Sequence, residues 1–205
     1  PIGGATASIY AISSAVHARD AGWYQVAASN SAGSTTSAVI FVNVAANQVV
    51  AWGSNSAGQT TVPDGLTSVV SIAAGFSHSL ALRADGTVVS WGDNGFGQSS
   101  VPVALSDVVA IAAAGAGSLA LKSNGTVVGW GSVAIPSGIT NAVAIAADYH
   151  TLVLKADGTV AAAGSNNFGQ IDVPAGLSGV VAIAANSSSS LVLKADGTVQ
   201  AWGSN

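Results

Sequence analysis

Residues 79–92 read Ser79-Leu-Ala-Leu-Arg-Ala-Asp-Gly-Thr-Val-Val-Ser-Trp-Gly92, two β-rich runs on either side of an Asp-Gly pair. Such a pair between alternating runs favours a two-residue hairpin of type I′, in which both central residues need positive φ. The phrase returns. Asp85, Asn124, Asp157 and Asp196 each precede Gly-Thr-Val, at steps of 39, 33 and 39 residues. Trp-Gly keeps the same beat at 52–53, 91–92, 130–131 and 202–203, and becomes Ala163-Gly164 in the third step. Gly-Gln stands at 58–59, 97–98 and 169–170. It is missing from the short unit, which runs straight from Trp130-Gly131 to Ile135-Pro136, the address expected for a six-residue deletion.

Working outward, a run such as Val69-Val-Ser-Ile-Ala-Ala74 precedes each hairpin, and no stretch has the spacing, caps and length of a helix. Pro63, Pro102, Pro136 and Pro174 follow the Gly-Gln position, where a short edge strand tolerates a residue without an N–H. The expectation is four short strands per unit of about 40 residues, the arithmetic of a propeller blade. Small inward side chains would let the sheets stack closely, with one Trp per unit filling the blade core.

The segments Ser71-Ile-Ala-Ala-Gly-Phe-Ser-His-Ser-Leu-Ala-Leu82, Thr87-Val-Val-Ser-Trp-Gly-Asp-Asn-Gly-Phe-Gly-Gln98 and Gly58-Gln-Thr-Thr-Val-Pro63 resemble the regulator-of-chromosome-condensation repeat, in its short bacterial form. The resemblance covers residues 48–205 and implies an all-β fold whose complete ring has seven blades. Units would fall at about 48–86, 87–125, 126–158 and 159–197, with a surplus strand at 198–205. Val49-Val-Ala-Trp-Gly-Ser-Asn55 and Val199-Gln-Ala-Trp-Gly-Ser-Asn205 duplicate one strand. The expectation is a partial propeller of four units cut from a longer protein; the rival is an open array whose ends pair with neighbouring copies. A chain that begins at Pro1 and has no Met agrees with processing or excerption.

Residues 1–46 lack the repeat. Asp20-Ala-Gly-Trp-Tyr24, Ala28-Ser-Asn-Ser-Ala-Gly33 and the alternating Ser37-Ala-Val-Ile-Phe-Val-Asn-Val44 resemble the last strands of an intermediate-set immunoglobulin-like domain. Tyr24 would be its corner tyrosine, and Val26 stands where that family has Cys. Such a domain needs about 100 residues, so a fragment of the sandwich is expected, with Asn47-Gln48 as a short linker.

Composition removes several functions. The 205 residues carry five Lys or Arg against nine Asp, for a net charge of −4, and 49% are apolar. No basic field exists to engage phosphates, so nucleic acid is not an expected partner. Without Cys there is no disulfide framework or thiolate metal site. The apolar stretch from Val108 to Leu121 is fourteen residues, too short to cross about 30 Å of hydrocarbon, so no membrane span is expected.

Chemistry is sparse as well. His78 and His150 lie seven residues before their turn Asp, where the other units have Gly117 and Ser189. That register reads as hydrogen bonding within blades rather than base catalysis, and no Gly-x-Ser-x-Gly nucleophile elbow is present. Asp148 beside His150 is the nearest approach to a metal pair, and Asp85, Asp157 and Asp196 read as turn formers rather than calcium ligands. The Gly-rich loops lack the helix and Lys of a phosphate loop. No catalytic residue, cofactor or metal is expected, and the protein is expected not to be an enzyme. Arg83, Lys122, Lys155 and Lys194 share one repeat position and should form a solvated rim.

Loops on a rigid scaffold carry recognition, and Phe76, Phe96, Tyr149 and Phe168 are the candidate binding residues. The expected function is a non-catalytic binding or structural module of a secreted or cell-surface bacterial protein. It would contact a protein partner or copies of itself, up to a homo-oligomer, fibre or sheath. The alternative is a soluble enzyme-inhibitor propeller similar to the β-lactamase inhibitor of the same repeat family. Nucleotide exchange on a small GTPase, the eukaryotic activity of the family, finds no local support.

Overall fold

Every Asp-Gly-Thr phrase closes a hairpin of apolar and small side chains, and a third strand upstream pairs along its other side. The computed structural model describes strands at 22–24, 27–30, 33–36 and 40–42, then residues 49–204 continuously. Two compact units separate, Pro1–Gln48 and Val49–Asn205. The first holds β1 (Gly22–Tyr24), β2 (Ala27–Asn30), β3 (Gly33–Thr36) and β4 (Ile40–Val42). β1 pairs antiparallel with β4 and β2 with β3, Asn30 facing Gly33. The readings that rest on Asp20, Val26, the Tyr24 side chain and Asn47-Gln48 lie outside the described residues.

The second unit is all-β: four three-stranded antiparallel sheets, with no helix among the described residues and hence none long and apolar enough to cross a membrane. The first sheet is β5 (Val69–Ala74), β6 (His78–Arg83) and β7 (Val88–Gly92); the second is β8 (Val108–Ala113), β9 (Ala116–Lys122) and β10 (Val127–Ser132). The third is β11 (Ala142–Ala147), β12 (His150–Lys155) and β13 (Val160–Gly164); the fourth is β14 (Val180–Ala185), β15 (Ser189–Lys194) and β16 (Val199–Gly203). Within each sheet the strands follow chain order, the pattern of propeller blades.

Two local expectations need correction. A fourth strand per unit is absent from the described residues, because the proline segments form turns instead. The carbonyls of Pro63, Pro102 and Pro174 accept the N–H of Leu66, Leu105 and Leu177, three residues on. The hairpins are not type I′. Gly86, Gly125, Gly158 and Gly197 have positive φ, whereas the Asp or Asn before each does not. The loop has three residues, closed by Gly86 N–H to the Arg83 carbonyl and by Arg83 N–H to the Thr87 carbonyl. Asp85 Oδ1 accepts from both Thr87 N–H (3.0 Å) and Thr87 Oγ–H (2.6 Å), and Asp157 and Asp196 repeat this. These exposed carboxyls are held below the usual range mainly by the two threonine hydrogen bonds.

The hairpin tips also dock on the next sheet. The carbonyls of Gly86, Gly125 and Gly158 accept Val108, Ala142 and Val180 N–H. A Cβ on Gly125 would sit 2.9 Å from Asn141 Cα, so this approach requires glycine.

The core lies between sheets. Leu80 and Leu82 of the first pack with Val108, Ala120 and Trp130 of the second, with Ile111 closing over them. Leu80, Leu119 and Leu152 are fully buried, but Leu191 and Leu193 at the same places in the fourth sheet are 36% and 39% exposed. At the other end of the array Ile72 is exposed, where Ile111 and Ile145 are half-buried. Among the described residues, Ile72 at one end of the stack and Leu191 and Leu193 at the other are therefore left open.

Candidate functional site

A buried hydrogen-bonded knot joins successive sheets. Gln98 ends the loop after β7, and its carbonyl accepts Ser118 Oγ–H (2.9 Å) and Trp130 Nε1–H (2.8 Å) from the second sheet. Ser118 Oγ also meets His78 Nε2 of the first sheet at 3.0 Å. Because the serine proton is committed to the Gln98 carbonyl, His78 is the donor and carries its proton on Nε2. Gln170, Ser190, Trp202 and His150 repeat the arrangement between the third and fourth sheets. The Gln59 carbonyl likewise takes Ser79 Oγ–H and Trp91 Nε1–H. Both His78 and His150 are lowered from the ordinary histidine value by burial. The Gly117 backbone and Asp93 pull His78 the other way, and Asp148 does so for His150. The repeat-registered histidines thus serve as inter-sheet hydrogen-bond donors.

Between the second and third sheets the knot is gone. No Gly-Gln loop precedes the third sheet; Gly117 replaces the histidine, Thr151 the serine and Ala163 the tryptophan. Val133 takes part of the space, and a Cβ on Gly117 would lie 2.6 Å from the Val133 Cβ. Thr151 is fully buried, and its Oγ1 has no partner among the described residues. The deletion behind this is not at one address, as expected from the sequence. Trp130 to Pro136 is five residues shorter than Trp91 to Pro102, and the sixth is lost between Pro136 and His150, from the β11–β12 turn. That loss sets Tyr149 directly before His150.

An open cavity of about 350 Å³ extends from the loops of the first sheet to this gap. Phe76, Phe96, Tyr149, Asp93 and Asp148 are among its lining residues, with His150 and Gln98 at its edge. The aromatic apices are held from below. Gln98 Oε1 accepts Phe96 N–H (2.8 Å), Asn94 Oδ1 accepts Ser99 N–H (2.9 Å), and Asp93 Oδ2 accepts Gln98 Nε2–H (2.8 Å). Gln170 and Asn166 frame Phe168 in the same way.

The four candidate aromatics all stand in the open: Phe76 is 80% exposed, Phe96 68%, and Tyr149 and Phe168 57% each. Strand direction puts all four on one rim, opposite the Asp-Gly-Thr hairpins. Phe76, Phe96 and Tyr149 share the cavity and Phe168 does not. Asp93, Asp148 and Asp172 lie on this rim, whereas Arg83, Lys122, Lys155 and Lys194 end the second strands on the other. There Lys194 Nζ pairs with Asp196 Oδ2 at 3.5 Å. No group of three metal-ligating side chains exists among the described residues.

The profile for the regulator of chromosome condensation (RCC1) repeat matches residues 69–98, 144–170 and 180–205. Over these three segments the chain is similar to RCC1 repeats. Among solved structures, Prp20p from Saccharomyces cerevisiae is 26% identical over 67% of this chain and 44% of its own, with a TM-score of 0.58. That work describes its binding to Gsp1p and histones. Human WBSCR16 (24% identity, 66% of this chain, 47% of its own, TM-score 0.55) shares the fold. So does the CRINKLY ectodomain of the Arabidopsis thaliana receptor kinase ACR4 (21%, 66% and 50%, TM-score 0.54). The chain spans half or less of the length of these solved relatives. A sequence comparison with curated proteins finds no match.

Sequence reasoning noted the missing Gly-Gln and the Trp-to-Ala change separately and did not join them. The joining signal was available. The Gln–Ser, Gln–Trp and His–Ser partners stand 20, 32 and 40 residues apart in every knot that forms them. Loss of Gln from one unit therefore predicts loss of Trp from the next.

Proposed function

We propose that this chain is a non-catalytic protein-binding module that meets its partner with the aromatic rim. The observation that carries this is the placing of four exposed aromatic side chains on the loops of one rim, three of them around a single cavity. Aromatics seated at the centre of a contact supply most of its binding energy, and loops braced from below hold them at little entropic cost. The solved RCC1-repeat protein Prp20p is described by what it binds, namely proteins. A secreted or cell-surface setting, with an immunoglobulin-like fragment ahead of the repeats, completes the proposal; the Asp-x-Gly-x-Tyr phrase supports it. The test replaces Phe76, Phe96, Tyr149 and Phe168 by Ala together, with Lys122→Ala/Lys155→Ala on the other rim for comparison. A partner recovered from the native source should be retained by the lysine variant and lost by the aromatic one. The reverse pattern sinks the reading.

The open residues at the two ends favour a second reading, self-association of the array. Leu191 and Leu193 at one end and Ile72 at the other reproduce the two sides of the internal contact between Leu80, Leu82 and Ile111. Association through these faces would be apolar and so insensitive to salt. Sedimentation equilibrium should show multimers of the 205-residue chain that Leu191→Asp/Leu193→Asp reduces to monomer. A chain that stays monomeric at every concentration removes this reading.

A further inference from the structure

We propose that the cavity left by the missing loop receives an arginine side chain of the partner, held by aromatic faces and carboxylates. This rests on the reading of the rim as a protein-binding surface and names the chemistry recognised there. The space comes first. Between the second and third sheets the loop, the tryptophan and the histidine that fill the other boundaries are absent together. An open volume of about 350 Å³ extends from the loops of the first sheet to that gap, the lower end of the size of ligand pockets.

The lining polarity is one-sided. Asp93 and Asp148 contribute carboxylates, and no Lys or Arg lines the cavity. Ser190 Oγ–H is committed to the Gln170 carbonyl, so His150 donates through Nε2–H. Its Nδ1 is then a bare acceptor, buried and without a partner among the described residues, as is Nδ1 of His78 at the first boundary, so it belongs to the knot and not to the cavity. Thr151 Oγ1, also buried and unpartnered, lies behind the cavity wall rather than on it. An anion would meet two carboxylates and no counter-charge, and a metal ion would lack a set of three ligands. A cation rich in N–H donors suits the two carboxylates.

Three exposed aromatics narrow the choice. Phe76, Phe96 and Tyr149 surround the mouth, and the face of an aromatic ring attracts an organic cation. Guanidinium suits this better than ammonium. It is planar, stacks on rings, presents five donors in a fixed fork and is weakly hydrated. Its methylene stem can lie along Val133 and Ala134 at the cavity wall.

The experiment titrates Nα-acetyl-arginine methylamide into the full chain, with the lysine and citrulline analogues in parallel, while following the ring signals of Tyr149 and His150 by NMR. Arginine should shift both sets saturably, lysine more weakly and the neutral citrulline analogue not at all. Asp148→Asn should weaken arginine binding about tenfold, the loss of one charge-assisted contact. Tyr149→Ala should weaken it independently, and Lys155→Ala on the far rim should leave it unchanged. Circular dichroism checks that each variant is folded. Equal binding of citrulline, no saturable shift with arginine, or an Asp148→Asn variant that binds as tightly as the parent overturns the assignment. A partner that depends on the aromatic rim, combined with no arginine binding, overturns the cavity alone. Arginine binding without any rim-dependent partner leaves the cavity standing and removes the rim reading.

Discussion

The contact between the first and second sheets and the contact between the second and third are built from the same repeat and differ in one connected set of residues. In the first, His78, Gln98, Ser118 and Trp130 form a buried network with every proton assigned. In the second, Gly117, Thr151 and Ala163 stand at the corresponding places and no loop bridges them. The glutamine carbonyl is the hub. Without it a buried indole N–H would be left unpaired, at a cost of about 1–3 kcal/mol, and the serine hydroxyl would keep only its histidine partner. Tryptophan is therefore unfavourable wherever the preceding loop is missing, and the two losses belong together. What remains at the gap is a cavity, with an orphaned hydroxyl behind its wall.

The largest break in this comparison is Trp130→Ala. It deletes a large core side chain and strips the Gln98 carbonyl of a donor, so we expect a loss of about 3–5 kcal/mol in urea unfolding. Trp202→Ala should cost less, since Trp202 is only half-buried at the end of the array. Ala163→Trp should not stabilise, because no carbonyl waits for its N–H. A stabilising Ala163→Trp would show that volume alone, and not the hub, governs the boundary.

Next in size is the contrast between interior and end. Leu119→Ala empties a fully enclosed site and should cost about 2–5 kcal/mol. Leu191→Ala, at the same register position but 36% exposed, should cost less than half as much. Equal costs would mean that the end face is covered in solution, which is what self-association requires. The comparison thus reads stability and assembly together when repeated over a range of protein concentration.

Smaller, and of opposite signs, are the changes at the serine position. Ser118→Ala removes the centre of a buried hydrogen-bonded network and should destabilise by about 1–3 kcal/mol. Thr151→Val keeps the shape and removes a hydroxyl that has no partner, and should stabilise by up to about 1 kcal/mol.

Much of this was legible beforehand, because it is local. Asp85-Gly-Thr fixes a hairpin within five residues, the 39-residue beat fixes the number of sheets, and the apolar spacing fixes which face packs. The hairpin type was misjudged because Asp-Gly serves two kinds of turn. The deciding feature is Thr87, whose N–H and hydroxyl hold Asp85 at negative φ. A fourth strand was expected from the repeat length, yet a proline carbonyl that closes its own turn leaves no ladder there. Phe76, Phe96, Tyr149 and Phe168 were legible as loop aromatics, but the cavity was not. It is defined by what three successive sheets fail to supply, and only the constant spacings of the knot connect those absences along the chain.

The smallest effect concerns protonation of the two histidines. Burial lowers both His78 and His150 below the value of about 6.5 that they recover on unfolding. The unfolded chain therefore takes up protons before the folded one as pH falls. Their contribution to stability is complete above about pH 6.5 and is lost as pH drops through that value toward the folded pKa. The lowered turn carboxyls Asp85, Asp157 and Asp196 act in the same sense, but only below about pH 4, so the two windows separate. Urea midpoints should fall between pH 7.5 and pH 5 in the parent. In His78→Asn/His150→Asn the slope over that interval should flatten, whatever the absolute stability of the variant. His150 faces Asp148 while His78 faces Asp93, so Asp148→Asn should steepen the fall through His150 and leave His78 untouched. An unchanged slope in the double variant would place the acid sensitivity elsewhere and would leave the histidines as hydrogen-bond donors only.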